Sequence, residues 1–314
     1  MTAWVKGAVA LVCVAVVALV CVFAFGAAYA AATRASGASG RVVVHKVDAA
    51  RHAQAAAEAT ASAFSPGLIV SDDSFFNARA MTAPQVQAFL ASATCRPADG
   101  APCLADYRET THSTPEKYGH CEAYAGAANE RASRIIVKVA RACGISPKTL
   151  IVLVQKEQSL VTRPSMYGYQ RATGYACPDS ADCDATYFGL FNQLYSAAWQ
   201  FREYGFSSDW RYHVGTVAIQ YHPNLACGAS DVRIRNQATA DLYNYTPYQP
   251  NDETLKAPDG PAGSCSTYGN LNFSRIWNTW FGSPLAVRFP DWLPTCLRHP
   301  HGVSCEPVQI PATP

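Results

Sequence analysis

The sequence carries little charge and no excess of either sign. Charged residues make up 15% of the chain, with 25 Lys and Arg against 23 Asp and Glu. Proteins that bind nucleic acid through its phosphates usually show a basic excess. We therefore expect no nucleic-acid partner. The low charge, together with abundant Gly, Pro and Tyr, is typical of secreted proteins.

The sequence also lacks the residue spacings of common metal sites. No two cysteines are separated by two residues, and no HExxH pattern occurs. Zinc sites usually show one of these arrangements. The sequence therefore predicts neither a metal nor another cofactor.

Ten of the twelve cysteines follow residue 33. An even number of cysteines at irregular spacing in an exported chain indicates disulfides, because the oxidising side of a membrane keeps thiols paired. Spacing alone leaves the connectivity open. Pairing neighbours along the chain joins Cys95 with Cys103, Cys121 with Cys143, Cys177 with Cys183, Cys227 with Cys265, and Cys296 with Cys305.

Export itself is predicted from the N-terminal segment. Residues 7–33 contain no charged side chain and form a run longer than the roughly 20 apolar residues that cross a bilayer as a helix. We expect residues 1–6 to be cytoplasmic and 7–33 to be a transmembrane anchor. A long cleaved signal peptide is the alternative, because the stretch Ala28, Tyr29, Ala30, with small residues at its two ends, resembles a cleavage site.

The rest of the chain divides by composition into four parts. Residues 34–66 are rich in Ala without an apolar stripe, which predicts a stalk. Residues 67–116 predict a small adaptor, and 117–283 show helical periodicity that predicts the main domain. Residues 284–314 predict a Pro-rich tail closed by a disulfide. The fold class expected is therefore mainly α, with disulfide-stapled loops.

One predicted helix places a carboxylate among aliphatic side chains. Ser146 can cap this helix and Pro147 suits its first turn, so we expect it to span 147–161. Helical spacing puts four side chains on one face, namely Leu150, Val154, Glu157 and Val161. A carboxyl group buried there would stay protonated near neutral pH. Such a group is a general acid of the kind that glycosidic bond cleavage requires.

Two structural explanations compete with a catalytic role for Glu157. The carboxylate could form a buried ion pair with an arginine such as Arg171 or Arg134, or it could face solvent at the end of the apolar stripe. Stray charges on helix faces are common, so the residues by themselves do not decide between these readings.

Two longer stretches of sequence resemble a known group of enzymes. The stretch CGISPKTLIVLVQKEQSLV, followed by FGLFNQLYSAAWQF, resembles the goose-lysozyme and soluble lytic transglycosylase group, in which a helix ends with a catalytic Glu and a Gly-Leu-Met-Gln element follows. The elements GISPK, QKEQSL, GYACPDS and DLYNYTPY are similar to those of uncharacterised secreted actinobacterial proteins, some described as haemagglutinin-like. Gln158 replaces the usual Ser after the Glu, and Asn192 is an extra residue inside the second element.

The resemblance implies a lysozyme-like fold for 117–283 and cleavage of peptidoglycan glycan strands, with Glu157 as the catalytic residue. It also implies a substrate cleft, for which we select the polar and aromatic residues Gln193, Asn192, Tyr187, Tyr221 and Tyr243. An inverting hydrolase needs a second carboxylate, for which Asp182 and Asp184 are the nearby candidates. A lytic transglycosylase, by the resemblance, needs only one Glu. The alternative function is a non-catalytic glycan-binding or adhesion protein.

Overall fold

A computed structural model describes residues 64–117, 120–178, 181–256 and 263–286. All the described residues belong to one compact unit. The predicted cytoplasmic terminus, membrane segment and most of the stalk and tail therefore lie outside the described residues. Within the described ranges, no helix combines the length and apolar character needed to cross a membrane.

The described part of the chain is mostly helical, which confirms the predicted mainly α class. In chain order its helices are α1 (Asp72–Phe75), α2 (Ala83–Ser92), α3 (Ala132–Cys143), α4 (Pro147–Gln158), α5 (Met166–Gln170), α6 (Leu190–Phe206), α7 (Gln237–Tyr245), α8 (Asp252–Lys256) and α9 (Gly269–Phe281). Two short 3₁₀ turns span Ala185–Tyr187 and Leu225–Cys227.

Two small antiparallel sheets accompany these helices. Strand β1 (Arg108–Glu109) pairs with β2 (Glu130–Arg131), so that Glu109 lies opposite Glu130. Strand β3 (Gly215–Gln220) pairs along its whole length with β4 (Ala229–Ile234). The first sheet is short, but its strand β1 carries Glu109, whose carboxylate contacts the Phe191 amide at the start of α6.

Helix α4 is the central helix of the fold. It packs against α1, α3 and α9. Five consecutive side chains are fully buried, and they are Leu150, Ile151, Val152, Leu153 and Val154. A helix that is apolar on every side is a buried helix. The polar residues that follow, from Gln155 onward, therefore mark the point where α4 leaves the core.

The ends of α4 follow from local chemistry. Ser146 accepts a hydrogen bond from the Lys148 amide at 3.2 Å, and Pro147 occupies the first turn. The helix ends at Gln158 because Ser159 adopts a left-handed conformation with φ 54°. The expected extension to residue 161 was therefore wrong. Glu157 lies in the last turn of α4, one residue before the helix ends.

A single hydrophobic core unites the predicted adaptor and the predicted main domain. Ile69, Phe75 and Val86 from the first segment are buried in the same cluster as Ile135 and Leu150 from the second. Residues 67–116 and the described part of 117–283 thus fold together around α4.

Four disulfides join cysteines in the pairing of chain neighbours that we expected. They are Cys95–Cys103, Cys121–Cys143, Cys177–Cys183 and Cys227–Cys265. Such bonds persist in oxidising compartments, so they indicate an extracytoplasmic environment. The fifth pair, Cys296 with Cys305, lies outside the described residues.

Candidate functional site

The side chain of Glu157 is partly exposed where α4 leaves the core. It retains 25% of its accessible surface, whereas Leu150, Val154 and Val161 are almost completely buried. The expected burial of this carboxyl group among aliphatic side chains was therefore wrong. Glu157 is accessible to solvent because it lies in the last turn of α4, whereas residues 150–154 of the same helix are buried.

The neighbouring lysine is the cationic partner of this carboxylate. Lys156 Nζ lies 2.5 Å from Glu157 Oε1, and the lysine side chain is only 5% exposed. The same ammonium donates a hydrogen bond to Thr246 Oγ1 at 2.9 Å, just beyond the end of α7. Thr246 thus helps to hold Lys156 against Glu157.

The arginines considered as partners of Glu157 lie elsewhere. The Arg171 guanidinium lies over the rings of Tyr167 and Phe188, at 4.1 and 4.3 Å from their centroids. Arg134 is largely exposed, with its Nε 4.0 Å from Glu130 Oε1. Glu157 is therefore ion-paired, as one structural alternative held, but to a lysine rather than to an arginine.

The second carboxylate oxygen of Glu157, Oε2, lies close to the backbone at Gly174. A β-carbon at Gly174 would lie 3.8 Å from Glu157 Oε2, and Gly174 adopts φ +72°, a conformation that suits glycine. The part of the chain that the structure describes gives Oε2 no hydrogen bond. Oε2 therefore keeps its capacity to accept a hydrogen bond from a group outside these residues.

Tyr245, the last residue of α7, completes the surroundings of Glu157. Burial raises the pKa of its phenol well above the usual value, and the negative charge of Glu157 adds to that effect. Its hydroxyl donates to the Thr173 carbonyl at 2.8 Å. The site thus combines the end of α4, the end of α7 and the loop around residue 174.

Gln193 was predicted to bind substrate, but it instead holds this loop from within. It is fully buried, and its Oε1 accepts hydrogen bonds from the Thr173 and Tyr175 amides, both at 3.1 Å. Its Nε2 donates to the Tyr175 and Tyr187 carbonyls at 3.0 and 2.9 Å. Because every polar atom of its amide already has a partner, Gln193 positions the loop and does not face a ligand.

Tyr243 and Tyr221, also predicted as substrate contacts, lie apart from this arrangement. Tyr243 is fully buried, and its hydroxyl donates to the Pro66 carbonyl at 3.0 Å, so it is a core residue. Tyr221 is partly exposed and lines a cavity of about 370 Å³ beside β4. The residues lining that cavity include none of the contacts of Glu157 given above.

Tyr187 and Asn192 lie on the loop and helix that Gln193 ties together. The Tyr187 ring meets the Tyr175 ring edge to face, with centroids 4.9 Å apart. Asn192 is partly exposed, and its Nδ2 donates to the Phe188 carbonyl at 2.9 Å. Both stay predictions as substrate contacts.

The two aspartates considered as second carboxylates are exposed loop residues. Asp184 accepts a hydrogen bond from the Thr186 amide at 2.9 Å, which caps a 3₁₀ turn and lowers the pKa of its carboxyl. Asp182 is exposed. Within the described ranges, no group of three or more His, Cys, Asp or Glu is arranged to hold a metal.

Glu109 is a structurally important carboxylate that the sequence did not reveal. Its Oε1 accepts the Phe191 amide at 2.5 Å, and its Oε2 accepts the Tyr107 hydroxyl at 3.0 Å. Helix α6 has Gly189 at its N-cap and no side-chain cap of its own, so Glu109 serves as the cap from a distant strand. Burial raises the pKa of this carboxyl, although the hydrogen bonds oppose that effect. Nothing local in the sequence could have predicted a contact between such distant residues.

Comparison with known proteins adds no relative. No protein-family model matches the chain, and neither the curated proteins nor the solved structures contain a match. The resemblance of its motifs to the lysozyme-like group therefore stays a prediction.

Proposed function

We propose that this protein cleaves peptidoglycan glycan strands outside the cytoplasm, with Glu157 as general acid and then general base. The observation that carries the proposal is the partly exposed Glu157 carboxylate at the end of a buried helix, with one oxygen paired and the other without a hydrogen bond from the described residues. The motif resemblance supports the same residue.

The reaction we favour is that of a lytic transglycosylase, because neither Asp182 nor Asp184 offers a positioned second carboxylate. In the acid step, Glu157 that has taken up a proton from solvent on Oε2 gives it to the glycosidic oxygen, as the bond from that oxygen to the anomeric carbon breaks. The carboxylate then takes the proton of the sugar's own 6-hydroxyl, whose oxygen bonds to the anomeric carbon. The glycan gains an anhydro end, and Glu157 is protonated again.

Lys156 has a defined part in this cycle. An ammonium 2.5 Å from Oε1 stabilises the carboxylate that remains after the proton has left. The free oxygen, Oε2, is the one positioned to exchange the proton with the glycan. Thr246 keeps the ammonium in place while the protonation state of Glu157 changes.

The first experiment compares two glutamate variants of the intact chain on purified sacculi. We expect Glu157→Gln to reduce the release of soluble glycan by about 100-fold or more, the range for loss of a general acid. Glu203→Gln is the matched control, because Glu203 is 27% exposed and lies 2.5 Å from His120 Nε2. Equal loss in both variants, or loss in neither, would contradict the proposal.

Binding separates an enzyme from the alternative glycan-binding or adhesion protein. We expect Glu157→Gln to sediment with sacculi as the unaltered chain does, since the substitution preserves size and removes one charge. If the unaltered chain and Glu157→Gln both sediment with sacculi and neither releases fragments, the protein is a glycan binder and not an enzyme.

A further inference from the structure

A second groove lies between the first turn of α2 and the exposed side of α3. It encloses about 550 Å³, within the range of ligand sites. Its lining residues are Thr82, Ala83, Pro84, Gln87, Arg131, Ser133, Arg134, Val137, Lys138 and Arg141. We call it the α2/α3 groove. Its lining residues include none of the contacts of Glu157 given above.

Basic side chains recur along the α3 wall of this groove. Arg131, Arg134, Lys138 and Arg141 follow one another at intervals of three or four residues, which places them on one face of the helix. Arg131 is the N-cap of α3, and the row from Arg131 to Arg141 covers about 15 Å at 1.5 Å per residue. No acidic residue is among the lining residues. The groove therefore presents a row of positive charge.

The four cations differ in how far they are already engaged. Lys138 Nζ lies 2.7 Å from Glu130 Oε1, so the lysine charge is largely neutralised. Arg134 approaches the same carboxylate only through Nε, at 4.0 Å, and its side chain is 67% exposed. Within the part of the chain that the structure describes, Arg131 and Arg141 form no ion pair or side-chain hydrogen bond. The three arginines therefore give the groove its capacity to bind an anion.

The uncharged polar side chains of the groove are already hydrogen-bonded. Ser133 Oγ donates to Gln87 Oε1 at 2.8 Å, and Gln87 Nε2 donates to the Ala105 carbonyl at 2.9 Å. Thr82 is engaged with Gln85 in the capping box of α2. A polypeptide partner would bring backbone N–H and C=O groups that need hydrogen-bonding partners. The groove therefore suits an anionic chain without such groups better than it suits an acidic peptide.

Aromatic side chains and large exposed apolar side chains are missing from the lining residues. Proteins that bind single-stranded nucleic acid stack its bases on aromatic rings. Helices that lie in a membrane surface present large apolar or aromatic side chains to the lipid. The one branched aliphatic residue of the groove, Val137, is only 3% exposed. The groove thus fits a chain of phosphates that carries neither bases nor acyl tails.

We infer that the α2/α3 groove binds a linear polyol phosphodiester, a chain of the poly(glycerol phosphate) type, through Arg131, Arg134 and Arg141. Each repeat of such a chain carries one negative charge, and an arginine fork binds two oxygens of a phosphate. A row of about 15 Å extends beyond one phosphate, so a polymer makes contacts that a single phosphate cannot make. The disulfides indicate an extracytoplasmic environment, and we expect the partner there as well.

Calorimetry with the full chain tests this inference without a cleavage step. The probes are synthetic poly(glycerol phosphate), poly-L-glutamate and oligothymidylate, matched in number of charges, and dihexanoyl-phosphatidylglycerol below its micellar concentration. At one salt concentration, we expect poly(glycerol phosphate) to bind at least about tenfold more tightly than each of the others. Polyglutamate brings backbone groups without partners, oligothymidylate finds no stacking surface, and the short-chain lipid offers a single phosphate.

Charge variants assign the binding to the groove. We expect the double variant Arg134→Gln with Arg141→Gln to bind poly(glycerol phosphate) at least about tenfold more weakly, and Arg134→Lys with Arg141→Lys to retain part of the affinity. Arg96→Gln with Arg163→Gln is the matched control, because it removes two exposed arginines that do not line the groove. We expect the control to change the affinity less than about twofold. Thermal melts establish that each variant is folded.

Four results would overturn the inference. They are no binding of poly(glycerol phosphate), equal or tighter binding of polyglutamate, equal or tighter binding of oligothymidylate or the short-chain lipid, and an equal loss of affinity in the groove variant and its control. The inference does not depend on the proposed function, and Glu157→Gln should bind poly(glycerol phosphate) as the unaltered chain does. Failure of one therefore leaves the other intact.

Discussion

Glu130 and Glu157 are each paired with a lysine, and their surroundings are opposite. Glu130 is 1% exposed, and its Oε1 lies 2.7 Å from Lys138 Nζ. Its Oε2 accepts hydrogen bonds from Thr111 Oγ1 at 2.6 Å and the Tyr124 hydroxyl at 2.8 Å. Glu157 is 25% exposed and has a single partner, Lys156, on one oxygen.

The difference separates a carboxylate that holds the fold from one that is open to a ligand. A buried carboxylate whose oxygens are both satisfied gains nothing from a new partner and leaves its neighbours unpaired if removed. A partly exposed carboxylate whose second oxygen has no hydrogen bond from the described residues can accept a new partner and exchange protons with a substrate. We therefore expect stability to depend on Glu130 and activity to depend on Glu157.

The largest effect on stability should come from Glu130→Ala. Removing one partner of a buried pair costs about 3–5 kcal/mol, because it deletes the carboxylate that Lys138, Thr111 and Tyr124 all bind. Urea unfolding measures the loss. Arg134→Gln is the control, since Arg134 is an exposed partner at 4.0 Å and should contribute under about 1 kcal/mol. A small change in Glu130→Ala would break the comparison.

Gln193→Ala should have the next largest effect, about 2 kcal/mol, because it leaves buried backbone groups of the loop unsatisfied. Urea unfolding measures this loss of stability. Gln87→Ala is the control, because Gln87 is a glutamine whose Nε2 donates to a single backbone carbonyl, that of Ala105. If Gln193 contacted substrate instead, its loss would impair sacculus binding without lowering stability.

Acid pH should produce a smaller effect through Glu130. Burial acts to raise the pKa of this carboxyl, but hydrogen bonds from Lys138, Thr111 and Tyr124 and the lysine charge hold it below its usual value. Its stabilisation is therefore complete above the unfolded-state pKa of about 4.3 and is lost as the pH falls through the lower folded-state value.

The difference in unfolding free energy between the unaltered chain and Glu130→Gln isolates this contribution. That difference should shrink between about pH 5 and pH 3, because glutamine does not titrate. Asp72 and Asp241, whose pKa values burial raises, act in the opposite direction but are common to both proteins. A constant difference across this range would contradict the assignment.

Glu157→Gln should have the smallest effect on stability, under about 1 kcal/mol, because the carboxylate is 25% exposed and the glutamine carbonyl can still accept a hydrogen bond from Lys156, which Thr246 also binds. Urea unfolding at neutral pH measures it beside Glu203→Gln, which should behave alike. A loss comparable to that of Glu130→Ala would make Glu157 a structural residue and remove the distinction.

The sequence predicted the elements whose signals are local. The cap and proline at Ser146 and Pro147 placed the start of α4. Pairing neighbouring cysteines gave the four disulfides of the described residues. The end of α4 was missed because Ser159, rather than a glycine, adopts the left-handed conformation there.

The surroundings of Glu157 could not be predicted in the same way. Adjacent residues on a helix do not ordinarily face each other, so Lys156 was not an obvious partner. Its ammonium is held in place by Thr246, which is 90 residues away in the chain. Gln193 and Tyr243 were expected at a surface, but tertiary packing buries both. Polar residue type alone does not distinguish a ligand contact from a loop anchor.

The central claim, that Glu157 transfers a proton to a glycan, is tested most directly by the masses of fragments from sacculi digested with the intact chain. We predict fragments with anhydro ends from the unaltered chain and from Glu203→Gln, and none from Glu157→Gln. The same anhydro fragments in equal amount from Glu157→Gln would contradict the claim.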